Sequence, residues 1–589
     1  MEQLNWMAEY AAFAVMLSMS VFVGLYYGCV DGKQNTINEY LLGGKHMAVF
    51  PITMSMISSH ISGITLLGVP SEVYSHGTQY LVMALINVFV ITITIHIYLP
   101  VFYELQITSV FEYLEHRFGT NIRVLTSMIF ALSQILILPV VIYIPALAFN
   151  QVTGLDIHLM TIVMCIICIF YTTVGGLKAV VWTDAIQSVF TTVSLIFVTV
   201  LGLIEIGGIG NTIRDNRENG RLEFFKMDPN PFLRNTFWTV GLGTIFGWVT
   251  QLSIHPGIVQ RFISLPTYKK ARNSLIYFLF GVGVVITLTG IIGMIIYSKY
   301  KDCDPVMANY IQSDRNILPY YIMDVAANYP GLTGLFISGI VSAALSTMSA
   351  QLNTLSGTIY EDFVVKMMSV KVSELTASII MKCTVVIIGF LCVGLVLVVE
   401  KLSGIVQMAI SVCGITNGAI LSVFTLGICF PRANSRGAIC GMMASLGIMT
   451  WIIGGAQLAI INDEMIFTQK DVSIAGCPAN TTFKNQTDYS GLYLMNEDVY
   501  VSPNVWKIHT VSYMHYNTVG TLVGIGVGLL VSYLFPTDQK VDLKLLAPCI
   551  RRFMYHDSPN PECCSMKEVK PASTINTDEK YVHTHDTKL

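Results

Sequence analysis

Long apolar segments alternate with short polar ones along most of the chain. A helix needs about 20 consecutive apolar residues to cross a bilayer core, and thirteen segments reach that length. They lie near 9–29, 48–74, 80–103, 123–150, 156–175, 178–208, 236–260, 274–298, 332–360, 375–399, 404–430, 436–460 and 516–535. The pattern predicts an all-α integral membrane protein with about 13 transmembrane helices, whose membrane domain spans 1–536.

The composition supports a membrane location. Hydrophobic residues make up 53% of the 589 residues and charged residues only 12%, whereas soluble domains carry about 25% charged residues. The formal net charge of -3 gives no indication of a nucleic-acid partner, so membrane lipid is the expected surroundings. No phosphate-binding loop, nucleophile elbow or HEXXH pattern is present, and we therefore predict neither an enzyme nor an organic cofactor.

The orientation follows from Lys and Arg in the short loops, which favour the cytoplasmic side. With the N-terminus outside and the C-terminus inside, the following residues all fall in the cytoplasm: Lys33, Lys45, Arg117, Arg123, Lys178, Arg261, Lys269, Lys270, Arg272, Lys366, Lys371, Arg432 and Arg436. The same orientation places the glycosylation sequons at Asn480 and Asn485 outside, in the loop 461–515. Cys303 and Cys477 also fall in outer loops, where they can pair if the fold brings them together. We expect a plasma-membrane protein.

The C-terminal region differs from the rest of the chain. Residues 537–589 are polar and charged, which is typical of a largely disordered cytoplasmic tail. The chain ends in Thr587-Lys588-Leu589, and a hydroxyl two residues before a C-terminal Leu is suited to a PDZ-domain protein. The alternative is a terminus that no partner recognises, and both interpretations stay open.

One apolar segment carries polar residues at mid-bilayer depth. Within 50–74, Ser58-Ser59-His60-Ile61-Ser62-Gly63 combines hydroxyls, an imidazole and a glycine. Polar groups at this depth are costly and usually face a cavity or another helix. A local unwinding near 58–63 would expose backbone carbonyls, which are oxygen ligands of the kind that hard cations prefer.

A second polar stripe runs along 331–360. Ser342, Ser346, Ser349 and Asn353 recur at helical spacing, with Thr347 beside them. The serine and threonine hydroxyls of this stripe can complete an ion site opposite the unwound segment. Small-residue stripes also serve simply to let helices pack closely, and composition does not decide between the two.

Three further residues are candidates with open alternatives. Asp184, near an end of the span 178–208, is either an intramembrane functional acid or an interfacial carboxylate touching Lys178. His60 is a ligand-binding or a packing histidine. Trp248 can stack on a substrate or sit in an interfacial aromatic belt.

These residues lie in stretches that closely resemble the sodium/solute symporter family, in the branch of the iodide, multivitamin and monocarboxylate transporters. The stretches are SSHISGITLLGVPSEVYSHGTQYL (58–81), YIPALAFNQVTGLD with YTTVGGLKAVVWTDAIQ (143–187), VQRFIS (259–264) and GLFISGIVSAALSTMSAQLNTLSGTIYEDF (334–363). The resemblance covers about 8–535. It implies a LeuT-type fold with two inverted five-helix repeats, about 48–208 and 236–430, and access that alternates around a midplane site.

The resemblance also implies site residues and Na⁺ as the co-transported ion. The sodium site would use the carbonyls of Ser58, Ile61 and Ala343 with the hydroxyls of Ser346 and Thr347. Asp184 and Gln187 match residues linked to a second sodium, and Ser59 and Ser342 are candidates to join them. The substrate positions would be His60, Thr65, Tyr143 and Trp248.

The sequence departs from the iodide transporter at three of these positions. Ala350 replaces a hydroxyl, Thr65 a glutamine and His60 a phenylalanine. A pocket histidine can pair with a carboxylate, so we expect a small anionic solute, a monocarboxylate ahead of a carboxylated vitamin such as biotin or pantothenate, or iodide. The alternative function is a transporter-like nutrient sensor or signalling scaffold that transports little.

Overall fold

The computed structural model is almost entirely helical. It describes residues 6–30, 36–326, 329, 331–367, 372–400, 405–467, 469–478, 481, 483, 499–537 and 541–555. The α-helices are α1 (Trp6–Leu25), α2 (Ile37–Leu42), α3 (Val49–His60), α4 (Gly63–His76), α5 (Met83–Ile93), α6 (Leu99–Leu105), α7 (Glu112–Phe118), α8 (Thr120–Thr153), α9 (Ile157–Ile206), α10 (Ile209–Glu218), α11 (Phe237–Val249), α12 (Pro256–Ile263), α13 (Tyr268–Tyr300), α14 (Ile317–Ala326), α15 (Leu332–Ile359), α16 (Val365–Met367), α17 (Glu374–Glu400), α18 (Ile405–Cys429), α19 (Ser435–Ile461), α20 (Tyr516–Leu534) and α21 (Pro548–Tyr555).

Short elements connect these helices. The π-helical turns are Tyr26–Val30, Thr94–Tyr98, Thr250–Ile254 and Tyr360–Val364. The 3-10 turns are Gly43–Lys45, Thr78–Val82, Asp314–Asn316, Lys507–Thr510, Tyr513–His515 and Leu543–Leu545. Two strands, β1 (Met465–Phe467) and β2 (Val499–Val501), pair antiparallel beside the last apolar helices, with Ile466 opposite Tyr500.

Ten helices in the described residues are long and apolar enough to cross a membrane, or eleven if the bent pair α3–α4 counts as one span. The predicted count of thirteen is therefore not confirmed. The predicted segment 236–260 falls in α11, a π-helical turn and α12, each too short to cross alone.

The helix α9 contains two of the predicted segments. At about 1.5 Å per residue, its 50 residues would extend about 75 Å if straight, well beyond the ~30 Å bilayer core. The helical backbone is interrupted at Gly176, where φ is 54° and ψ is -152°. We infer that the two parts cross separately, as the predicted segments 156–175 and 178–208 require.

Replacing Gly176 with alanine is expected to destabilise the protein by about 1–3 kcal/mol, because side chains are strained in that backbone conformation. The matched control is Gly210→Ala in α10, where open space surrounds the site and alanine favours the helix. The free energy of unfolding in mixed detergent measures both. A Gly176→Ala protein as stable as the control would contradict the expectation.

The helix α15 lies at the centre of the bundle. Nearly all of its residues are buried, and it packs against α1, α3, α8, α9 and α17. Its small side chains, including Ser342, Ser346 and Ser349, let these neighbours approach closely. The polar stripe predicted from the sequence therefore faces protein rather than lipid.

Three arginines that the orientation argument assigned to cytoplasmic loops are buried instead. Arg117 donates to the carbonyls of Gly427, Phe430, Pro431 and Ala433 at the end of α18. Arg123 is paired with Glu115 and Asp362, both at 2.6 Å. Arg261 is 2% exposed. These charges serve internal contacts, so they carry no weight as loop charges.

The two loop cysteines do come together. Cys303 and Cys477 form a disulfide, 174 residues apart in the chain. The hydrogen bonds Asp304 N to Ser473 O (2.9 Å) and Gly476 N to Asp302 O (2.8 Å) flank it. The structure thus settles a pairing that the sequence left open, and it joins the loop after α13 to the segment that follows β1.

The predicted tail begins with folded structure. Tyr113 donates to Leu545 O at 3.0 Å, and Arg551 in α21 is paired with Glu104 at 2.8 Å. The tail beyond 555 lies outside the described residues, as do Thr587-Lys588-Leu589 and the sequons at Asn480 and Asn485.

Candidate functional site

The apolar span 49–76 is broken at its middle, as predicted for 58–63. The helix α3 ends at His60 and α4 begins at Gly63, with their axes bent by 58°. Between them Ile61 and Ser62 have extended backbones, with ψ of 91° and 168°. Gly63 allows close packing there, because a Cβ at this position would lie 2.6 Å from Pro145 Cγ of α8. The break frees backbone groups inside the bundle.

Five oxygens from α3 and α15 meet beside the break. Ser346 Oγ lies 2.9 Å from Ser58 O and 3.1 Å from Ala343 O. Thr347 Oγ1 lies 2.9 Å from Ala343 O and 3.4 Å from Ser59 O. Each hydroxyl has one proton and cannot donate to two carbonyls at once. The cluster therefore has oxygen lone pairs to spare, which a hard cation can use.

The structure brings together four of the five predicted sodium ligands, Ser58, Ala343, Ser346 and Thr347. Ile61 lies at the break, with its N–H on Ile57 O at 3.0 Å, and its carbonyl stays a prediction. Ser59 O is the second α3 carbonyl in the cluster. In the part of the chain that the structure describes, no three His, Cys, Asp or Glu side chains come together as metal ligands. The all-oxygen set suits sodium rather than a transition metal.

Asp184 lies next to this cluster and is fully buried. Its Oδ2 is 3.1 Å from the guanidinium of Arg261 in α12, and it accepts from Ser55 Oγ at 2.7 Å and Ser59 Oγ at 3.2 Å. Its Oδ1 accepts from Ser349 Oγ at 3.3 Å. The interpretation of Asp184 as an interfacial acid touching Lys178 is wrong, because Asp184 is fully buried and pairs with Arg261, while Lys178 pairs with Glu39 at 3.0 Å.

The guanidinium of Arg261 also contacts the two serines that donate to Asp184, Ser55 and Ser59. It donates to Ser55 Oγ at 2.8 Å, to Ser59 Oγ at 2.9 Å and to Gly257 O at 3.2 Å. Two buried charges are costly unless geometry and hydrogen bonds compensate them, and here both are compensated. The pair ties α3, α9, α12 and α15 together at one point.

The other residues proposed for a second sodium are placed differently. Gln187 Nε2 donates to Ser20 Oγ of α1 at 3.0 Å, while Gln187 Oε1 is buried without a hydrogen-bond partner. Ser342 Oγ and Ser58 Oγ are also buried without partners. Ser59 alone of the predicted set contacts Asp184 directly. Sequence reasoning did not assign Ser55 or Arg261 to the site, and it placed Ser349 in the polar stripe without linking it to Asp184.

His60 and Trp248 meet across the break. Their ring centroids are 4.9 Å apart, and Phe278 packs edge-on against His60 at 5.3 Å. Trp248 Nε1 lies 3.0 Å from Met83 Sδ. Both rings are half-buried, which favours a site-lining Trp248 over one in an aromatic belt. Thr65 lies in the first turn of α4, and Tyr143 lies on α8 two residues before Pro145.

A second broken helix faces the first. The helical run 237–263 is interrupted at His255, whose ψ is 122°, before Pro256 opens α12. His255 Nδ1 accepts from Gly257 N at 3.2 Å, so in the neutral ring the proton sits on Nε2. Nε2 lies 3.4 Å from the Gln134 amide, whose Oε1 has no partner in the assigned orientation. Turning that amide over lets His255 Nε2–H donate to Gln134 Oε1.

Comparison with known proteins identifies relatives over most of this architecture. The model of the family described as "Sodium:solute symporter family" matches residues 40–445. Human sodium-coupled monocarboxylate transporter 1 is 37% identical over 89% of this chain and 86% of its own length. Human sodium-coupled monocarboxylate transporter 2 is 33% identical, over 94% and 89%. A putative sodium-dependent multivitamin transporter of Drosophila melanogaster is 33% identical, over 90% and 86%.

Solved structures support the fold. A substrate-bound, outward-open sodium-coupled sialic acid symporter superimposes with a TM-score of 0.74 at 21% identity, covering 90% of this chain and 99% of the symporter. A nucleobase-cation-symport-1 family transporter in a closed conformation gives 0.51 at 14% identity, over 86% and 97%. The chain has the LeuT-type fold.

Proposed function

The chain belongs to the sodium:solute symporter family and is a sodium-coupled symporter of small solutes rather than an enzyme, and from this we propose that it imports a small monocarboxylate. The observation that carries the proposal is the mid-span break, which places an oxygen cluster, a helix N-terminus and His60 side by side. We further propose that the membrane domain, 1–536, contains two inverted repeats, about 48–208 and 236–430, whose first helices are the two broken ones.

Sodium is proposed to bind among Ser58, Ile61, Ala343, Ser346 and Thr347. The hydroxyl oxygens of Ser346 and Thr347 already lie 2.9–3.1 Å from the carbonyl oxygens of Ser58 and Ala343, which supports this placement. These side chains would need to move only a little to coordinate an ion. A second sodium at Ser59, Asp184, Gln187 and Ser342 requires a state in which Arg261 has withdrawn from Asp184. The unpartnered Gln187 Oε1 and Ser342 Oγ are the oxygens that would gain from that ion.

The solute carboxylate is proposed to bind at the start of α4. Ser62 gives this helix no side-chain cap, so the N–H groups of Gly63 and Ile64 remain available, while Thr65 N already donates to Ser62 O at 3.0 Å. The N-terminus of a half-helix favours a negative charge. In this proposal Thr65 and His60 add hydrogen-bond donors and Trp248 provides a flat apolar wall. Tyr143 is proposed to line the opposite side of the substrate pocket.

Two observations favour a monocarboxylate over the other anions. The two human relatives named above are monocarboxylate transporters, and His60 supplies a hydrogen-bond donor suited to a carboxylate. A carboxylated vitamin such as biotin or pantothenate needs a longer pocket, and iodide, a spherical ion, accepts hydrogen bonds without a preferred direction. Because one relative is a putative sodium-dependent multivitamin transporter, a carboxylated vitamin is the second candidate substrate.

Coupling to sodium supplies the driving force. Each inward charge gains ~2.3 kcal/mol per 100 mV of membrane potential. Two sodium ions with one monoanion would move one net positive charge inward, so the potential would assist uptake. A sodium-replacement uptake panel in expressing cells tests this, using labelled lactate, pyruvate, nicotinate, biotin and iodide.

We expect saturable, sodium-dependent uptake of the short monocarboxylates. Uptake of iodide alone would overturn the proposed substrate class. Absence of any saturable sodium-dependent uptake or current, in a chain that reaches the surface, would favour the sensor or scaffold instead.

His60→Phe is expected to raise KM for the carboxylate by about 10–100-fold, because a hydrogen bond to a charged group contributes ~1.5–3 kcal/mol. Half-saturating sodium should stay the same. The matched control is His96→Phe, since His96 is exposed on the π-helical turn after α5. Equal effects of the two substitutions on KM would remove His60 from the site.

The multi-pass chain is proposed to lie in the plasma membrane with its N-terminus outside and its C-terminus in the cytoplasm. The disulfide between Cys303 and Cys477 supports this placement, because disulfides persist in oxidising compartments. The same side would carry glycans at Asn480 and Asn485, and the tail would offer Thr587-Lys588-Leu589 to a PDZ-domain protein.

A further inference from the structure

The short helix α21 lies at one boundary of the membrane domain. Ala547 N, directly before its first residue, donates to Ile428 O at 3.0 Å. One turn later, Arg551 is paired with Glu104 at 2.8 Å. Ile428 in α18 and Glu104 in α6 each precede the last residue of a membrane span. Both contacts therefore hold α21 at the depth where these spans end, on the cytoplasmic side in the proposed orientation.

The residues before α21 fix it to the domain. Leu545, Leu546 and Ala547 are buried, and Tyr113 of α7 donates to Leu545 O at 3.0 Å. Arg551 Nε donates back to Leu546 O at 2.8 Å, so the helix and the segment before it form one unit. Because this unit is held by buried side chains, α21 stays at the membrane boundary.

The other face of α21 is apolar and turned away from the domain. Phe553 is 87% exposed, more than any other large hydrophobic side chain that the structure describes. Cys549, four residues earlier on the same helical face, is also exposed, and Met554 is half-exposed at the edge of that face. An apolar face on a helix at a membrane boundary is typical of a helix that lies in the interface.

Charge does not select the partner of this face. Arg551 is already paired. The exposed Arg552 and Lys544 have Asp542 and Asp557 close to them in the sequence, so the segment has little net charge. The apolar side chains therefore decide what covers this face, and a neutral partner is sufficient.

The surroundings of α21 favour lipid over protein as the cover. At the same boundary, the inner end of α20 exposes Tyr533 and Leu534, as expected of a lipid-facing surface. The segment 556–589 is polar, with its apolar side chains scattered along it. A second copy would need an interface of about 1,000 Å², which a face of two or three side chains does not supply.

We propose that the face of α21 formed by Cys549 and Phe553 lies in the inner leaflet, with the Phe553 ring among phospholipid acyl chains just below the headgroups. Arg552 lies between them and can extend to the headgroup level. The lipid contact anchors the buried segment 545–547 against α6 and α18, which belong to different proposed repeats. The lipid surface thus strengthens a clamp across the inner ends of the two repeats.

The first test identifies what covers Phe553. The photoreactive aromatic residue p-benzoylphenylalanine replaces Phe553 in the full-length protein, which is reconstituted in phosphatidylcholine vesicles and irradiated. The replacement keeps an aromatic ring at an exposed position, so the fold should be unaffected. Mass spectrometry then identifies the adduct. The same replacement of Tyr533 is the lipid-facing reference, and that of Phe483, exposed on the opposite side of the membrane in the proposed orientation, is the matched control.

We expect phospholipid adducts at position 553 at a level similar to that at position 533. They should exceed those at position 483 by about tenfold or more, because burial of an aromatic ring in an apolar medium is favoured by about that factor. Adducts mainly to 556–589, adducts mainly to a second copy, or a lipid yield no higher than at position 483 would each overturn the proposal.

The second test measures the anchoring effect. Phe553→Asp should speed hydrogen exchange of the amides of 548–555 in vesicles by about tenfold, because the helix loses its lipid contact and opens more readily. Phe483→Asp should leave these amides unchanged. Exchange in Phe553→Asp as slow as in the wild type would show that lipid does not hold the helix. Neither test depends on transport, so a failed uptake panel leaves both intact.

Discussion

Arg261→Met is expected to lower the free energy of unfolding by about 3–5 kcal/mol, because it leaves Asp184 buried without a counter-charge. Asp184 is fully buried and Arg261 is 2% exposed, with the charged groups 3.1 Å apart. Ser55 and Ser59 also lose a donor each. Equilibrium unfolding in mixed detergent measures the loss, and the fraction of chain at the cell surface should fall with it.

A double-mutant cycle separates the pair from general damage. Asp184→Asn combined with Arg261→Met should be more stable than Arg261→Met alone, since both charges are then gone. Arg551→Met is the matched control, because Arg551 pairs with Glu104 where both side chains are partly exposed, and such pairs contribute about 0–1 kcal/mol. Additive effects of Asp184→Asn and Arg261→Met would show that the two charges do not interact.

Arg261→Met should also make stability depend on sodium. Without the guanidinium, Asp184 and the neighbouring hydroxyls form a cation site, so raising sodium should recover part of the lost stability. Recovery by sodium but not by N-methyl-D-glucamine would support the second-sodium set.

Removing the hydroxyls of the oxygen cluster is the second change with a large expected effect. Ser346→Ala or Thr347→Ala should raise the sodium concentration for half-maximal uptake by about 10–100-fold, because each loses one ligand to a charged species. The expectation rests on Ser346 Oγ at 2.9 Å from Ser58 O and Thr347 Oγ1 at 2.9 Å from Ala343 O. Uptake measured against sodium at fixed solute gives the value.

Two controls keep this result specific. Thr347→Ser retains the hydroxyl and should stay close to the wild type. Ser338→Ala removes a buried hydroxyl of the same helix that donates to Gly334 O at 2.6 Å, and it should leave sodium activation unchanged. Wild-type sodium activation in both Ser346→Ala and Thr347→Ala would refute the proposed sodium site.

The break and the polar stripe could be predicted because they are local. Polar residues at mid-bilayer depth are costly wherever they occur, so Ser58–Gly63 and the stripe from Ser342 to Asn353 are visible in the sequence. The structure places both where that argument requires. Periodicity also shows which face of α15 carries the hydroxyls, since Ser342, Ser346 and Ser349 lie on one helical stripe.

The partner of Asp184 could not be predicted in the same way. Arg261 lies within a short apolar stretch, VQRFI, and an arginine near the end of a span usually marks a loop. Its role depends on how the short helix α12 docks against α3 and α9, which no local pattern encodes. The apolar residues on both sides of Arg261 were the available signal, because a loop arginine seldom has such neighbours.

The count of thirteen helices is not confirmed, for a related reason. Apolar length identifies segments, but it does not show how the backbone joins them. The predicted segments 156–175 and 178–208 are the two parts of α9 on either side of Gly176, whereas the segment around His255 is apolar enough to predict a span yet divides into short helices. Breaks inside the membrane are tolerated only where other groups satisfy the freed backbone, so a sequence pattern tends to count them as whole spans.

The hydroxyl protons of Ser346 and Thr347 also bear on the unloaded carrier. Without an ion, the two hydroxyls can donate to the carbonyls of Ser58 and Ser59 and so bridge α15 to α3. With sodium bound, they can donate to Ala343 O instead, and the lone pairs of the hydroxyl oxygens can then coordinate the ion. The same two helices are thus held together when the carrier is empty as well as when it is full. We expect the empty protein to reorient with α3 and α15 still bridged by these hydrogen bonds. This would prevent an uncoupled ion leak between transport cycles.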